Sequence, residues 1–164
     1  MYKRLWPGRE GWSARYNHNS SIHTIPAGDD LQRTLIRDNK RFWISPFPQK
    51  TGDYYQIDLK KERIISGFYE IDIEFDNQIP LKYLLRFYNR GGIKETEPNH
   101  LARREPIRGR GRVIEQFPPI KVQRIEIIIL EPNLDKDGNP YHWKIYGFEL
   151  EEVMFLRHFL RRKI

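Results

Sequence analysis

The chain has 164 residues, 38% hydrophobic and 13% aromatic, with 29 Lys and Arg against 22 Asp and Glu for a net charge of +7. That length suits one domain burying roughly 70% of its unfolded surface, and a ring-rich, aliphatic-poor composition with 11 Gly and 11 Pro favours a loop-rich all-β domain over a helical bundle. Zero cysteines exclude disulfides and thiolate chemistry, and no apolar run approaches the roughly 20 residues of a membrane helix.

Residues 1–21 carry Pro7, Gly8, Gly11, Trp6 and Trp12 and read as an irregular entry segment whose rings dock on the body. The start, Met1-Tyr2-Lys3-Arg4-Leu5, lacks the apolar core of a signal peptide. The expectation for compartment stays two-sided: intracellular if Met1 is native, extracellular if the chain is a fragment. Residues 22–25 read as a short strand ended by Pro26, and residues 29–36 as a short helix or turn with an acidic start. A polar turn at 37–40 leads to Phe42-Trp43-Ile44-Ser45 and a proline-broken loop, Pro46-Phe47-Pro48.

The plan of the chain is clearest over residues 51–75. The turn Thr51-Gly52-Asp53 opens onto a strand at 54–59, a charged turn follows at 60–63, and a second strand carries Ile64, Ile65, Phe68, Ile71, Ile73 and Phe75. Asp58 lies between apolar neighbours, where a carboxylate requires a partner; Arg124 or Arg63 is expected to supply it. Residues 81–88 form the next strand, ended at Asn89-Arg90-Gly91-Gly92, and residues 93–111 are a polar, Arg-rich excursion. Residues 113–117 alternate, Pro118-Pro119 turns the chain, and VQRIEIIIL (122–130) is the most hydrophobic run, a central strand. A turn-rich loop spans 131–140, and residues 143–150 close the sheet.

The tail changes period. Val153, Leu156, Leu160 and Ile164 share a helical face, predicting a C-terminal amphipathic helix over 151–164 behind a β-sandwich domain at 1–150. Such a stripe docks on its own domain or on a partner subunit, so homo-oligomerisation through the helix is one expectation; an anionic membrane surface is the alternative.

Catalytic motifs are absent: no Gly-rich phosphate loop, no HExxH, no Gly-x-Ser-x-Gly. The five histidines (His18, His23, His100, His142, His158) lack metal-ligand spacing. The expectation is a non-enzymatic protein.

Four ordered segments carry a family resemblance. They are 35–45, ending Phe42-Trp43-Ile44-Ser45; 53–59, with Ile57-Asp58-Leu59, and the strand at 64–68 after it; 117–127, with Phe117-Pro118 and Arg124-Ile125; and 143–150, ending Gly147-Phe148-Glu149-Leu150. In this order they resemble the discoidin domain, also called the coagulation factor 5/8 type C domain, and the related galactose-binding-like carbohydrate-binding jelly rolls. The likeness covers about residues 35–150, and the Arg-rich insert and the tail lie outside it. It implies a discoidin-like jelly-roll β-sandwich, with Trp43 and Trp143 as core rings.

The resemblance also implies a structural Ca²⁺ held through Asp38 and Glu149, as part of a shell of six to eight oxygens. The stretch Asp135-Lys136-Asp137-Gly138-Asn139 has calcium-loop spacing, but its twelfth position is Tyr146 rather than a bidentate Glu, so a tight turn is expected there. It implies a glycan ligand too, bound by loop residues at one end of the sandwich. Aromatic and polar candidates are Trp12, His18, His23, Phe47, Arg90, Tyr141 and His142. Two alternatives stand beside glycan binding: a protein-interaction or assembly domain, and anion or nucleic-acid binding. The last would use Arg103, Arg104, Arg108, Arg110 and Arg112, five arginines in residues 103–112, whose guanidinium groups suit phosphate or sulfate in a polyanion.

Overall fold

In the computed structural model the described residues are 2–5, 11–25, 43–71, 78–89, 100–103, 112–145 and 148–153. They form ten strands in order: β1 (Tyr2–Leu5), β2 (Ser13–His18), β3 (Ser21–Ile25), β4 (Trp43–Pro48), β5 (Tyr54–Ile71), β6 (Lys82–Tyr88), β7 (His100–Arg103), β8 (Arg112–Glu131), β9 (His142–Ile145) and β10 (Phe148–Val153). Two antiparallel sheets result. The larger has eight strands, running β1-β10-β5-β8-β6-β7, with β2 added beside β5 and β3 beside β2; the smaller is β4-β9. Among the described residues there is no helix, and none therefore long and apolar enough to cross a membrane.

The spine is the pair β5 and β8. Along one edge β5 pairs with β8 from Tyr54↔Ile128 to Ile71↔Arg112. Its other edge takes β2 over residues 54–58 and β10 over residues 65–70. The strand at 54–59 and the one at 64–68 are therefore a single element, and the charged turn expected between them is a bulge. Four residues of β5 stand against one of β8 between Asp58↔Arg124 and Arg63↔Val122. Within the bulge Lys60 takes φ 67, and its backbone N–H donates to Asp58 Oδ1 at 2.7 Å. That bond is a local partner for the half-buried Asp58, and Arg63 instead pairs with Glu152 at 3.3 Å. The turn expected at Pro118-Pro119 is likewise a bulge within β8, where the register jumps from Ile65↔Ile120 to Gly67↔Gln116. Proline has no ladder donor to lose there.

Other boundaries shift for the same reason, long-range pairing overriding local pattern. The entry segment contributes β1, paired with β10, and β2, paired with β3 and β5. The closing segment divides into β9 and β10, which belong to different sheets. β10 continues through Glu151, Glu152 and Val153, where the helical tail was expected to begin, because these residues pair with β1 and β5. Residues 154–164 lie outside the described residues, as do residues 29–36.

The core follows the alternation of each strand. Tyr83, Leu85 and Phe87 point inward from β6, Tyr55, Ile57 and Leu59 from β5, and Ile125, Ile127 and Ile129 from β8, all fully buried. Glu126 and Ile128 on the other face of β8 are buried as well, as a central strand requires. The small sheet lies across this core: Trp43 meets Tyr16 and Tyr55 with ring centroids 5.4 and 5.5 Å apart, and Trp143 meets Tyr55 at 6.1 Å. Both tryptophans occupy the packing positions expected of them.

Candidate functional site

One end of the sandwich gathers the β2–β3 turn, the β4–β5 connection and the loop from β8 to β9. The β2–β3 turn is a two-residue hairpin loop, Asn19 and Ser20 at φ 49 and 64, closed by His18↔Ser21. Two left-handed residues are the mark of a type I′ turn, and Asn is among the few side chains that tolerate it. The β4–β5 connection closes at Asp53 N–H donating to Lys50 O at 3.0 Å, with Gly52 at φ 94. Its place against β8 is fixed by Gly52 N–H to Ile129 O and Ile129 N–H to Asp53 O, both 2.8 Å.

The hairpin presents Tyr16, His18 and His23 on one face, since Tyr16 and His18 are two apart and Tyr16 opposes His23. Strand β4 lays Phe47 over them. The Phe47 and His18 rings stack at 4.2 Å with 7° between their planes, and His23 approaches Phe47 at 5.4 Å, tilted. Phe47 stays 36% exposed between the exposed Pro46 and Pro48, while Asn19, Ser20, Ser21 and Lys50 are exposed around it. The result is an apolar ring at the surface with a rim of amide, hydroxyl and ammonium groups.

Behind the ring the polar groups bond to one another. Asp53 is 2% exposed, and its Oδ2 accepts from Tyr16 Oη–H at 3.0 Å and from His18 Nδ1 at 2.7 Å. Burial and the Asp53 carboxylate push the Tyr16 phenol far above its ordinary range. His18 Nε2 meets Asn19 Nδ2 at 3.0 Å, and Lys50 Nζ donates to Asn19 Oδ1. Under β4, Ser45 Oγ donates to Phe47 O at 2.6 Å and accepts from Trp143 N–H at 2.8 Å. His142 Nδ1 donates to Ser45 O at 2.8 Å. Gln49 Nε2 donates to Gln78 O, and Asn133 N–H donates to Gln49 Oε1. The Pro46-Phe47-Pro48 backbone is thus held by buried side chains as well as by two proline rings.

Of the seven expected ligand residues, the structure brings His18, His23 and Phe47 into ring contact. Tyr141 and His142 join the same end through Gln49 N–H to Tyr141 O at 2.8 Å and the bond to Ser45. Trp12 is elsewhere: at 3% exposed it belongs to the core, because its strand-side neighbours Ala14 and Tyr16 face inward with it. Arg90 lies outside the described residues. So do Arg104, Arg108 and Arg110, and the side chains of Arg103 on β7 and Arg112 on β8. The calcium expectation also falls there, on Asp38 and on the side chain of Glu149. Among the described residues no cluster of three or more His, Asp or Glu could hold a metal ion. Asp135 Oδ1 accepts from the backbone N–H groups of Asp137 and Asn139, both at 2.9 Å, making the tight turn expected of that loop.

Sequence reading passes over Asn19, Lys50, Asp53, Ser45 and Gln49. A signal for the first was present, since Asn-Ser between alternating runs is a hairpin cue. Nothing local ties His18 to Asp53, 35 positions away.

No protein-family model and no curated protein matches the chain. Solved structures do. The family 32 carbohydrate-binding module of C. perfringens NanJ, in complex with galactose, is 15% identical with a TM-score of 0.64, covering 93% of this chain and 100% of that one. CpGH89CBM32-5 from Clostridium perfringens, in complex with GalNAc-β-1,3-galactose, is 12% identical with a TM-score of 0.63, covering 88% and 97%. The C-terminal domain of a chitobiase from Bacteroides fragilis is 11% identical with a TM-score of 0.56, covering 93% of each chain. The chain therefore has the fold of the family 32 carbohydrate-binding modules, a discoidin-like, galactose-binding-like jelly roll.

Proposed function

We propose that this chain is a non-catalytic carbohydrate-binding module that seats a galactose- or N-acetylgalactosamine-type residue against Phe47. The observation that carries the reading is the exposed Phe47 ring, fixed between two prolines and backed by His18 and His23. A pyranose has one largely C–H face that stacks on an aromatic ring and hydroxyls at its edge that bond to polar side chains. The rim of Asn19, Ser20 and Lys50 supplies such groups. The structural neighbours crystallised with galactose and GalNAc-β-1,3-galactose support this sugar class. The buried carboxylate nearest the rings, Asp53, gives Oδ2 to two internal donors, which suits a structural role rather than acid–base work.

Calorimetric titration with galactose, N-acetylgalactosamine and glucose tests the proposal. Binding of the first two is expected, with Phe47→Ala weakening it by about 2 kcal/mol, roughly thirtyfold, as for the loss of a central aromatic anchor. The glycan should be recovered uncleaved. No binding to either sugar, or full binding by the variant, overturns the reading.

A further inference from the structure

We propose that His18 is a positioning residue, locked as the neutral Nδ1–H tautomer with both ring nitrogens occupied inside the protein, so that it offers a ligand only the support of its ring face. The inference rests on the sugar-binding reading of Phe47 for its consequence and on a chain of donors and acceptors for its substance.

The chain begins at Lys50. An ammonium only donates, so the Asn19 atom facing it is Oδ1. That sets the Asn19 amide NH₂ toward His18, 3.0 Å from Nε2. A donor there requires an acceptor, so Nε2 carries no proton. The ring proton is on Nδ1, 2.7 Å from Asp53 Oδ2, a charge-assisted bond to a buried carboxylate. Turning the Asn19 amide over would allow a protonated Nε2, but it would set NH₂ against the Lys50 ammonium. The left-handed turn at Asn19 and Ser20 holds the amide within reach of both partners. Asp53 is anchored in turn by Tyr16 Oη–H at 3.0 Å and by its backbone bonds to Lys50 and Ile129.

With Nδ1 and Nε2 both engaged, the imidazole has one remaining surface, its faces. One lies parallel to Phe47 at 4.2 Å. His18 therefore fixes the plane of the stacking ring, and hydrogen bonding to the sugar falls to other groups: the rim of Asn19, Ser20 and Lys50, and His23, for which no hydrogen bond competes among those described.

Two measurements decide this. In the full chain, ¹⁵N–¹H spectra of the imidazoles are expected to show His18 with a pyrrole-type Nδ1 and a pyridine-type Nε2, unchanged on saturation with galactose. An Nε2–H tautomer, an imidazolium at neutral pH, or an Nε2 shift on adding galactose overturns the proposal. In titrations, His18→Phe, which keeps a stacking ring without nitrogens, is expected to bind galactose within about threefold of the wild type, and His18→Ala to lose at least about tenfold. Equal losses in both folded variants would place a ring nitrogen on the sugar and overturn it. If neither galactose nor N-acetylgalactosamine binds the unaltered chain, the sugar reading has failed. The tautomer spectrum then still decides the locked histidine.

Discussion

Asp53 shows how much one residue holds at this end of the molecule. It takes two donors on a single oxygen, closes the turn before β5 and ties that turn to Ile129 of β8. Asp53→Ala leaves the Tyr16 hydroxyl and His18 Nδ1 without their partner in the interior, so thermal or urea denaturation should show a loss of about 2–3 kcal/mol. Tyr16 makes the same point through pH. Burial and the Asp53 carboxylate raise its phenol, and burial with the Glu126 bond raises that of Tyr88. A phenol raised in the folded state adds stability that is complete below its unfolded value of about 10 and is lost as pH climbs beyond it. Urea midpoints should therefore fall between about pH 10 and pH 11, less steeply in Tyr16→Phe. His18, His23 and Phe47 were legible as candidates because rings and histidines near turns stand out. Asp53, Lys50 and Asn19 were not, because their meaning lies in which atoms face one another after the hairpin and the β4–β5 turn have met.

At the scale of elements, the long strands carry local exceptions that decide their course. Lys60 at φ 67 interrupts β5 without ending it. A left-handed lysine costs about 1–2 kcal/mol, and glycine gives back about 0.5–1 in chain entropy, so Lys60→Gly should raise stability by up to about 1 kcal/mol in urea denaturation. Lys60→Val should lower it, since a β-branched side chain resists that conformation. The same exception explains a misreading. Lys60-Lys61-Glu62-Arg63 has the composition of a turn, and Pro118-Pro119 breaks any simple ladder, yet both β5 and β8 run through because bulges absorb the extra residues. Periodicity registers the flanking alternation, while the pairing that bridges the gap depends on a strand some sixty residues away.

Across the whole molecule, stability rests on rings. Among the described residues, Trp143, Tyr16, Tyr55, Tyr83, Phe87 and Phe148 are the largest fully buried side chains. Trp143→Ala should cost about 3–5 kcal/mol, a large share of a typical total of about 5–15 kcal/mol, read as a lowered melting temperature by circular dichroism. The ring-rich, aliphatic-poor composition already indicated such a core, and the ordered strand motifs already indicated a discoidin-like sandwich. The division into an eight-stranded and a two-stranded sheet did not show, since β4 and β9 are short and pair across nearly a hundred residues. The edge pair β1 and β10 has a mechanical consequence. Tyr2 lies opposite Val153, and the ladder proceeds from there to Leu5↔Leu150. Tension applied at Tyr2 and Val153 meets the first rung alone, then the next, so the edge peels open at low force like a zip.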